Sequence, residues 1–443
     1  MDMTLERKTF SGRIARGDEA FAVDFHGSAG ADFRLKIEVD PLPNQTLFRL
    51  QSAMGDPGSY AQSLLLEGEA SDGAMFFSER VEVRAAKFGS SGNDITVSAL
   101  KATVTVLRSG PILRPVMRLW LRSFKSHRNP IVPTSLGKME VWGNHNKVPK
   151  DEVFGSIAIQ ADETTDRSYW RARADDFLTF MHRGLAFAHG SLLQTPRLDI
   201  HFEDCCEATF YDGNAFGPGL PPIHHLNHGP FLKAFAARYD DEKPFPDMLW
   251  TAIGWLQSDT AFDEGRFLTS MTALEAIVEH LIPKTLTTIV PKPEFSVVRD
   301  QLLDVVESSS LAETAREILK GRIKGLNGRS LSQKIEALRD YYGLSAKMFD
   351  NASIAAMIKL RNDIVHTGTA ASGDFWPNIV FVRELVSHIM FHEVGYTGPY
   401  ESYRDGYKMV HAAMTVGEDS AAGGPVDEGA DPPAFIESLP SPS

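Results

Sequence analysis

Hydrophobic and polar residues alternate with period two over much of the chain's first third. The alternation is clear in Phe21-Ala22-Val23-Asp24-Phe25 and Phe33-Arg34-Leu35-Lys36-Ile37-Glu38-Val39, and in parts of Ile95-Thr96-Val97 and Ala102-Thr103-Val104-Thr105-Val106. Successive side chains of a strand point to opposite faces, so this pattern predicts β-strands with one buried face. Glycines at Gly17, Gly27, Gly30, Gly55, Gly58, Gly68, Gly73 and Gly89 separate the runs. That punctuation suggests a sandwich or a partly open barrel. From Arg171 to Ala188 the period changes: Phe177, Leu178, Met181, Leu185 and Phe187 recur at helical steps. A strand at Leu198–Phe202 and a Gly- and Pro-rich loop from Tyr211 to Pro222 follow, completing the first domain as an α/β appendage.

Beyond Pro244 and Pro246 the pattern becomes helical, over Asp247–Leu256, Gly265–Leu281, Val297–Glu307, Leu311–Leu319, Leu331–Tyr342, Ala352–Val365, Trp376–Val394 and Tyr403–Met414. Several of these are long and amphipathic enough to build a bundle. The predicted fold is α+β and multidomain. A β-rich domain with its α/β appendage covers residues 1–244, an all-α bundle 245–412, and an acidic disordered tail 413–443. The tail carries Gly423-Gly424-Pro425 and Asp431-Pro432-Pro433 and is poor in apolar residues.

Composition narrows the class. A chain of 443 residues exceeds one ordinary core. No apolar run approaches the ~18–20 residues that span a bilayer, and the charged stretch from Met1 to Lys8 has no apolar segment behind it, so neither a membrane span nor a signal peptide is expected. The two cysteines, Cys205 and Cys206, are adjacent, and a disulfide between neighbours is strained. A reducing, cytoplasmic setting is expected.

The net charge of −13 argues against a nucleic-acid partner. Its distribution weakens that argument. Glu418, Asp419, Asp427, Glu428, Asp431 and Glu437 follow the last basic residue, Lys408, while Arg316, Lys320, Arg322, Lys324, Arg329, Lys334 and Arg339 make one stretch basic. That stretch reads equally as a phosphate-binding surface or as a solvated helix face.

The chemistry concentrates in Ile354–Gly368. On a helix, Ile354, Met357, Ile358 and Val365 form one stripe with Arg361 in its middle. An arginine there needs a partner, because a buried unpaired charge costs several kcal/mol. Asn362 and His366 are four apart and therefore neighbours on the flank of that stripe, and Gly368 marks the helix end. On the helix holding Phe267, Met271, Leu274, Val278 and Leu281, Glu275 projects from the edge of the apolar face, where it can meet Arg361. A Glu275–Arg361 pair serves equally to fix helix register or to position a functional arginine.

Arg361-Asn362-Asp363-Ile364-Val365-His366 resembles the arginine, four-to-six residues, histidine motif of HEPN domains, in the form with asparagine after the arginine. Arg266–Glu275 is similar to the first core helix of the ApeA-like HEPN group. The resemblance covers about Pro246 to Ala412 and is loose over the N-terminal part. It implies a metal-independent endoribonuclease in which the RNA's 2′-hydroxyl attacks the adjacent phosphate. His366 would act as general acid or base, Arg361 would neutralise the transition state, and Asn362 would orient the phosphate or the histidine. It further implies a homodimer with a composite site, an RNA substrate, a role in bacterial antiphage defence with a phage-derived trigger, and a sensory or regulatory first domain. No metal or cofactor is expected. A HEPN module that binds RNA, nucleotide or a partner protein without cutting stays open.

Other constellations are weaker. His388 and His392 are four apart on a helix, but the HExxH order is missing. His224, His225 and His228 read as surface histidines, and Cys205 and Cys206 on a strand would face apart. There is no phosphate loop, dinucleotide fingerprint or nucleophile elbow. Tryptophans Trp142, Trp170, Trp250 and Trp255 are expected in packing roles.

Overall fold

The computed structural model describes residues 5–54, 64–89, 92–107, 114–124, 126, 130–143, 153–162, 167–213, 219–258, 262–368, 375–404 and 406–412. The predicted tail, 413–443, lies outside the described residues.

The alternating segments form strands β1 (Leu5–Arg16), β2 (Glu19–Ala29), β3 (Leu35–Leu42), β4 (Leu64–Glu69), β5 (Met75–Gly89) and β6 (Gly92–Leu107), with helix α1 (Asn44–Met54) between β3 and β4. They pair antiparallel in the order β3-β2-β1-β4-β5-β6, and β3 also pairs with β6. The sheet therefore closes on itself as a six-stranded barrel, rather than standing partly open. Closure leaves no free edge. Its interior is filled by Phe10, Phe25, Phe76, Leu64, Leu66 and Val97, among others.

Strand β6 is long enough to serve two structures. Ile95 and Val97 pair with β3 inside the barrel, while Lys101–Leu107 pair with β12 (Cys205–Tyr211). From β12 the sheet continues through β11 (Arg197–His201), β7 (Val116–Arg122), β10 (Val153–Gln160), β9 (Gly137–Gly143) and β8 (Ile131–Thr134). Helix α2 (Arg167–His189) packs on β7 and β10, and α3 (His228–Tyr239) packs on α2. Arg197, 1% exposed, bonds Asp199 at 2.6 Å where barrel and sheet meet, its guanidinium 4.6 Å from the Phe33 ring centre.

His228 is not the surface histidine that the sequence suggests. It is 2% exposed, stacks on Phe124 with ring centres 5.6 Å apart, and its buried Nδ1 has no hydrogen-bond partner. Burial pushes its pKa down to about 3, so the folded state holds it neutral. The unfolded chain binds the proton more readily, so the stability that His228 contributes is complete above pH ~6.5 and is lost as pH falls towards 3. The expected result is a melting temperature that falls on acidification from pH 7 to 5, and falls less steeply in His228→Phe. Parallel slopes for the two proteins would contradict this role.

The C-terminal half is helical, with seven α-helices among the described residues: α4 (Asp247–Gln257), α5 (Asp263–Leu281), α6 (Lys292–Glu307), α7 (Glu313–Gly325), α8 (Leu331–Tyr341), α9 (Asn351–Thr367) and α10 (Trp376–Glu393). The predicted last helix is not formed. Pro399–Ser402 (β13) and Lys408–His411 (β14) pair as an antiparallel hairpin instead. Tyr403, Tyr407 and Val410 happen to match the helical period. The left-handed backbone at Gly406 (φ +87°) reverses the chain between them.

Helix α10 has apolar residues on all its faces and is buried along most of its length. Its Ile379, Val382, Leu385 and Ile389 enter the bundle core with α4, α5, α8 and α9. Its far end, Met390 and Phe391, enters a different core that contains the sheet, α2 and α3. Arg238 of α3 clamps the two halves together. Its guanidinium donates to the carbonyls of Glu393 (2.9 Å), Lys243 (2.6 Å) and Pro244 (3.1 Å).

Candidate active site around Arg361

Helix α9 is held at three places. Asp350 caps its start by accepting from the Ser353 amide at 2.8 Å, and these hydrogen bonds hold the Asp350 carboxyl below the usual carboxylate range. Arg339, 6% exposed, reaches from α8 to the Phe349 carbonyl (2.8 Å) just before the helix and to the side chain of Asn351 (2.7 Å), its first residue. At the other end Gly368 takes the left-handed conformation (φ +72°), and its amide donates to the Ile364 carbonyl. A side chain at 368 would strain that turn.

The buried stripe of α9 is Ile354, Met357, Leu360 and Ile364. Val365, assigned to the stripe by the sequence pattern, is 53% exposed. The stripe is rotated by about one position, which moves Arg361 from its middle to its edge. There Arg361 meets Glu275 of α5 as expected from the sequence. Nε to Oε1 is 3.0 Å and the second guanidinium nitrogen to Oε2 is 3.4 Å, a two-pronged pair. A further Arg361 nitrogen donates to Asn362 Oδ1 at 3.2 Å. The two charged side chains remain 29% and 31% exposed, so the pair is not the fully buried one that the stripe implied.

Asn362 and His366 lie one turn apart on the exposed face of α9, together with Lys359. His366 makes no side-chain hydrogen bond with the described residues. The helix thus carries a guanidinium anchored at its edge, the neighbouring Asn362 amide bonded to it, and, one turn beyond that amide, an imidazole open to solvent. Such a set can bind a phosphate and move a proton.

The half-exposed pair changes what its removal should cost. Exposed ion pairs contribute about 0–1 kcal/mol and broken buried ones about 3–5, so Arg361→Ala should destabilise the fold by roughly 1–2 kcal/mol. Glu275→Gln, which keeps the shape and an acceptor, should cost less. Chemical denaturation checks both. Changes above about 4 kcal/mol, or none at all, would mean that the pair sits differently.

The basic stretch is largely engaged by its own surroundings. Lys320 bonds Glu307 and Glu317, which raise its pKa to about 12, and Arg316 pairs with Glu313. Lys334 pairs with Glu279, Arg329 bonds the Thr288 carbonyl, and Arg339 is consumed by the start of α9. Arg322 and Lys324 are exposed. The continuous phosphate-binding surface that the sequence allowed is not built from these side chains.

The rival constellations are dispersed. Cys205 accepts from Arg167 at 2.8 Å, whereas Cys206 meets His201 Nδ1 at 3.0 Å. His388 is enclosed by the rings of Phe349, Phe391 and Tyr400, and His392 stands edge-on to Tyr342. Trp170 and Trp250 pack as expected, but Trp142 and Trp255 are 38% and 44% exposed.

Sequence reasoning passed over Glu384 of α10, 4% exposed, whose Oε1 accepts from Ser402 (2.7 Å) and the Tyr403 amide (2.8 Å) and so ties the C-terminal hairpin to the bundle. Its signal was a charged pair of neighbours, Arg383 and Glu384, in the middle of a helix rich in apolar residues. No family model, curated protein or solved structure matches this chain.

Proposed function

We propose that this chain is a HEPN-type endoribonuclease that cuts RNA without a metal, its active site built on Arg361, Asn362 and His366. The observation that carries the reading is the Arg361 guanidinium, held by Glu275 and Asn362 at a helix edge, with an exposed histidine five residues further along the same helix and one turn from Asn362. The RNA's 2′-hydroxyl attacks the adjacent phosphorus while a base removes its proton. The P–O5′ bond breaks, the 5′-oxygen takes up a proton, and a 2′,3′-cyclic phosphate remains. His366 supplies one of the two proton transfers. Arg361 donates to the phosphorane oxygens, on which negative charge accumulates. Glu275 limits the rotamers of Arg361, so less order is imposed when substrate binds.

A homodimer fits the exposure of this face. Asn362, His366 and Val365 are all open, so a second copy facing the first would bring two Arg361/His366 sets to one phosphate and supply both proton transfers. The antiphage role, with a phage-derived trigger, follows from the same resemblance and predicts growth arrest on infection. One observation favours the rival reading, a module that binds RNA without cutting: no described side chain orients the His366 ring.

The test is incubation of the purified chain with total cellular RNA in EDTA, followed by analysis of the new ends. Cyclic phosphate and 5′-hydroxyl ends are expected at a rate independent of EDTA. Cleavage only with magnesium, or 5′-phosphate ends, would point to another reaction.

A further inference from the structure

The helix pair α6–α7 leaves an apolar stripe open to solvent. Among the described residues, no side chain of α6 is buried, α7 buries only Ile323, and α6 packs chiefly on α7. Val298, Leu302 and Val305 of α6 stand at i, i+4 and i+7 and are 50%, 36% and 66% exposed. That spacing makes one continuous stripe, the pattern of a helix that buries a face. The Lys320–Glu307 ion pair ties α7 alongside, and α7 exposes Ile318 as well. Contiguous exposed apolar side chains mark interaction surfaces. Arg322, one turn on from Ile318, and Lys324 are exposed too, and neither forms an ion pair among the described residues.

The chain's own C-terminal segment has the matching chemistry. After Lys408 it holds Glu418, Asp419, Asp427, Glu428, Asp431 and Glu437 and no Lys or Arg. From 417 to 434 its one branched or aromatic apolar residue is Val426. Phe435, Ile436 and Leu439 then come together at i, i+1 and i+4, a spacing that shares one side of a helical turn. One short segment thus offers apolar side chains for the stripe and carboxylates for Arg322 and Lys324. Its reach is ample. Ala412 lines a cleft with Tyr341 and Tyr342 at the end of α8. The 11 residues of α8 and the 16 of α6 span about 16 Å and about 24 Å. The 23 residues from Ala412 to Phe435 extend to roughly 75–80 Å.

We propose that residues 427–439 dock on the α6–α7 pair, with Phe435, Ile436 and Leu439 on the stripe of Val298, Leu302 and Val305 and the carboxylates towards Arg322 and Lys324. A tether raises the effective concentration to roughly the millimolar range, so a contact of few side chains suffices to hold the segment. The proposal is independent of RNA cleavage at Arg361.

Photo-crosslinking of the full chain tests this from both sides. With the photoreactive residue benzoylphenylalanine in place of Phe435, links to 292–325 should dominate; with it in place of Leu302, links to 427–439 should. Val298→Asp combined with Val305→Asp puts charge on the stripe and should cut the link from position 435 by about tenfold. Both valines are exposed, so the melting temperature should be retained. Mixing chains of light and heavy nitrogen shows whether the segment reaches its own helix pair or a neighbour's, and either result is docking by this segment. Links from position 302 to α6 or α7 of another chain would make the stripe a contact between copies and overturn the proposal. So would links scattered over the β-rich half, no links at all, or a yield that the two aspartates leave unchanged.

Discussion

A chain cut down to residues 245–412 is expected to lose cooperative folding. Pro244 and Pro246 suggest a tether between independent units, but the side chains on either side of them share one core. Ile253, Met390, Phe391, Val394, Tyr396 and Tyr400 from the helical half are buried against the sheet, α2 and α3. Exposing six large side chains costs roughly 9–18 kcal/mol at ~1.5–3 each, an upper bound because the unfolded chain already hides some surface. That matches or exceeds the ~5–15 kcal/mol that stabilises a typical domain. Arg238, which fastens α3 to the end of α10, would be lost as well. Circular dichroism and thermal melting of the truncated chain are the check. A sharp transition near that of the full chain would show that the helical half stands alone. Inactivity of the truncated chain would therefore report on folding, not on a regulatory role of the β-rich half.

The second large effect is on activity. His366→Ala should leave the melting temperature within about 1 °C of the parent, because the side chain is exposed and caps nothing. Its cleavage rate should fall by about 10²–10⁴-fold, the usual contribution of a positioned acid or base. Arg361→Lys should also be strongly impaired despite keeping the charge, since an ammonium cannot bridge Glu275 and a phosphate with a planar fork. If two copies form one site, an excess of His366→Ala subunits should depress wild-type activity more steeply than dilution once subunits have exchanged.

Much of this was legible in the sequence wherever one physical cause dominated. Period-two alternation located barrel strands such as Phe21–Phe25, because each buries one face. Seven helices were located because their apolar stripes persist for several turns. The Glu275–Arg361 contact was legible because two charges at the edges of apolar faces need each other. What escaped depended on distant chain. Closure of the barrel rests on β3 meeting β6 across more than fifty residues, which no local pattern encodes. His228 lies in a polar-looking sequence, yet it is buried with its ring stacked on Phe124, more than a hundred residues earlier in the chain. The rotation of the α9 stripe came from Leu360 and Ile364, whose inclusion moves Val365 outwards. The basic stretch looked like a surface because its acidic partners, Glu307 and Glu279, come from neighbouring helices.

The account turns on whether His366 moves a proton during phosphodiester cleavage. End-group analysis of one defined single-stranded RNA, cut in EDTA by wild type and by folded His366→Ala protein side by side, tests this most directly. The expected result is 2′,3′-cyclic phosphate and 5′-hydroxyl ends from wild type and almost no product from the variant. Equal cleavage by the two proteins, or wild-type ends of another chemistry, would contradict it.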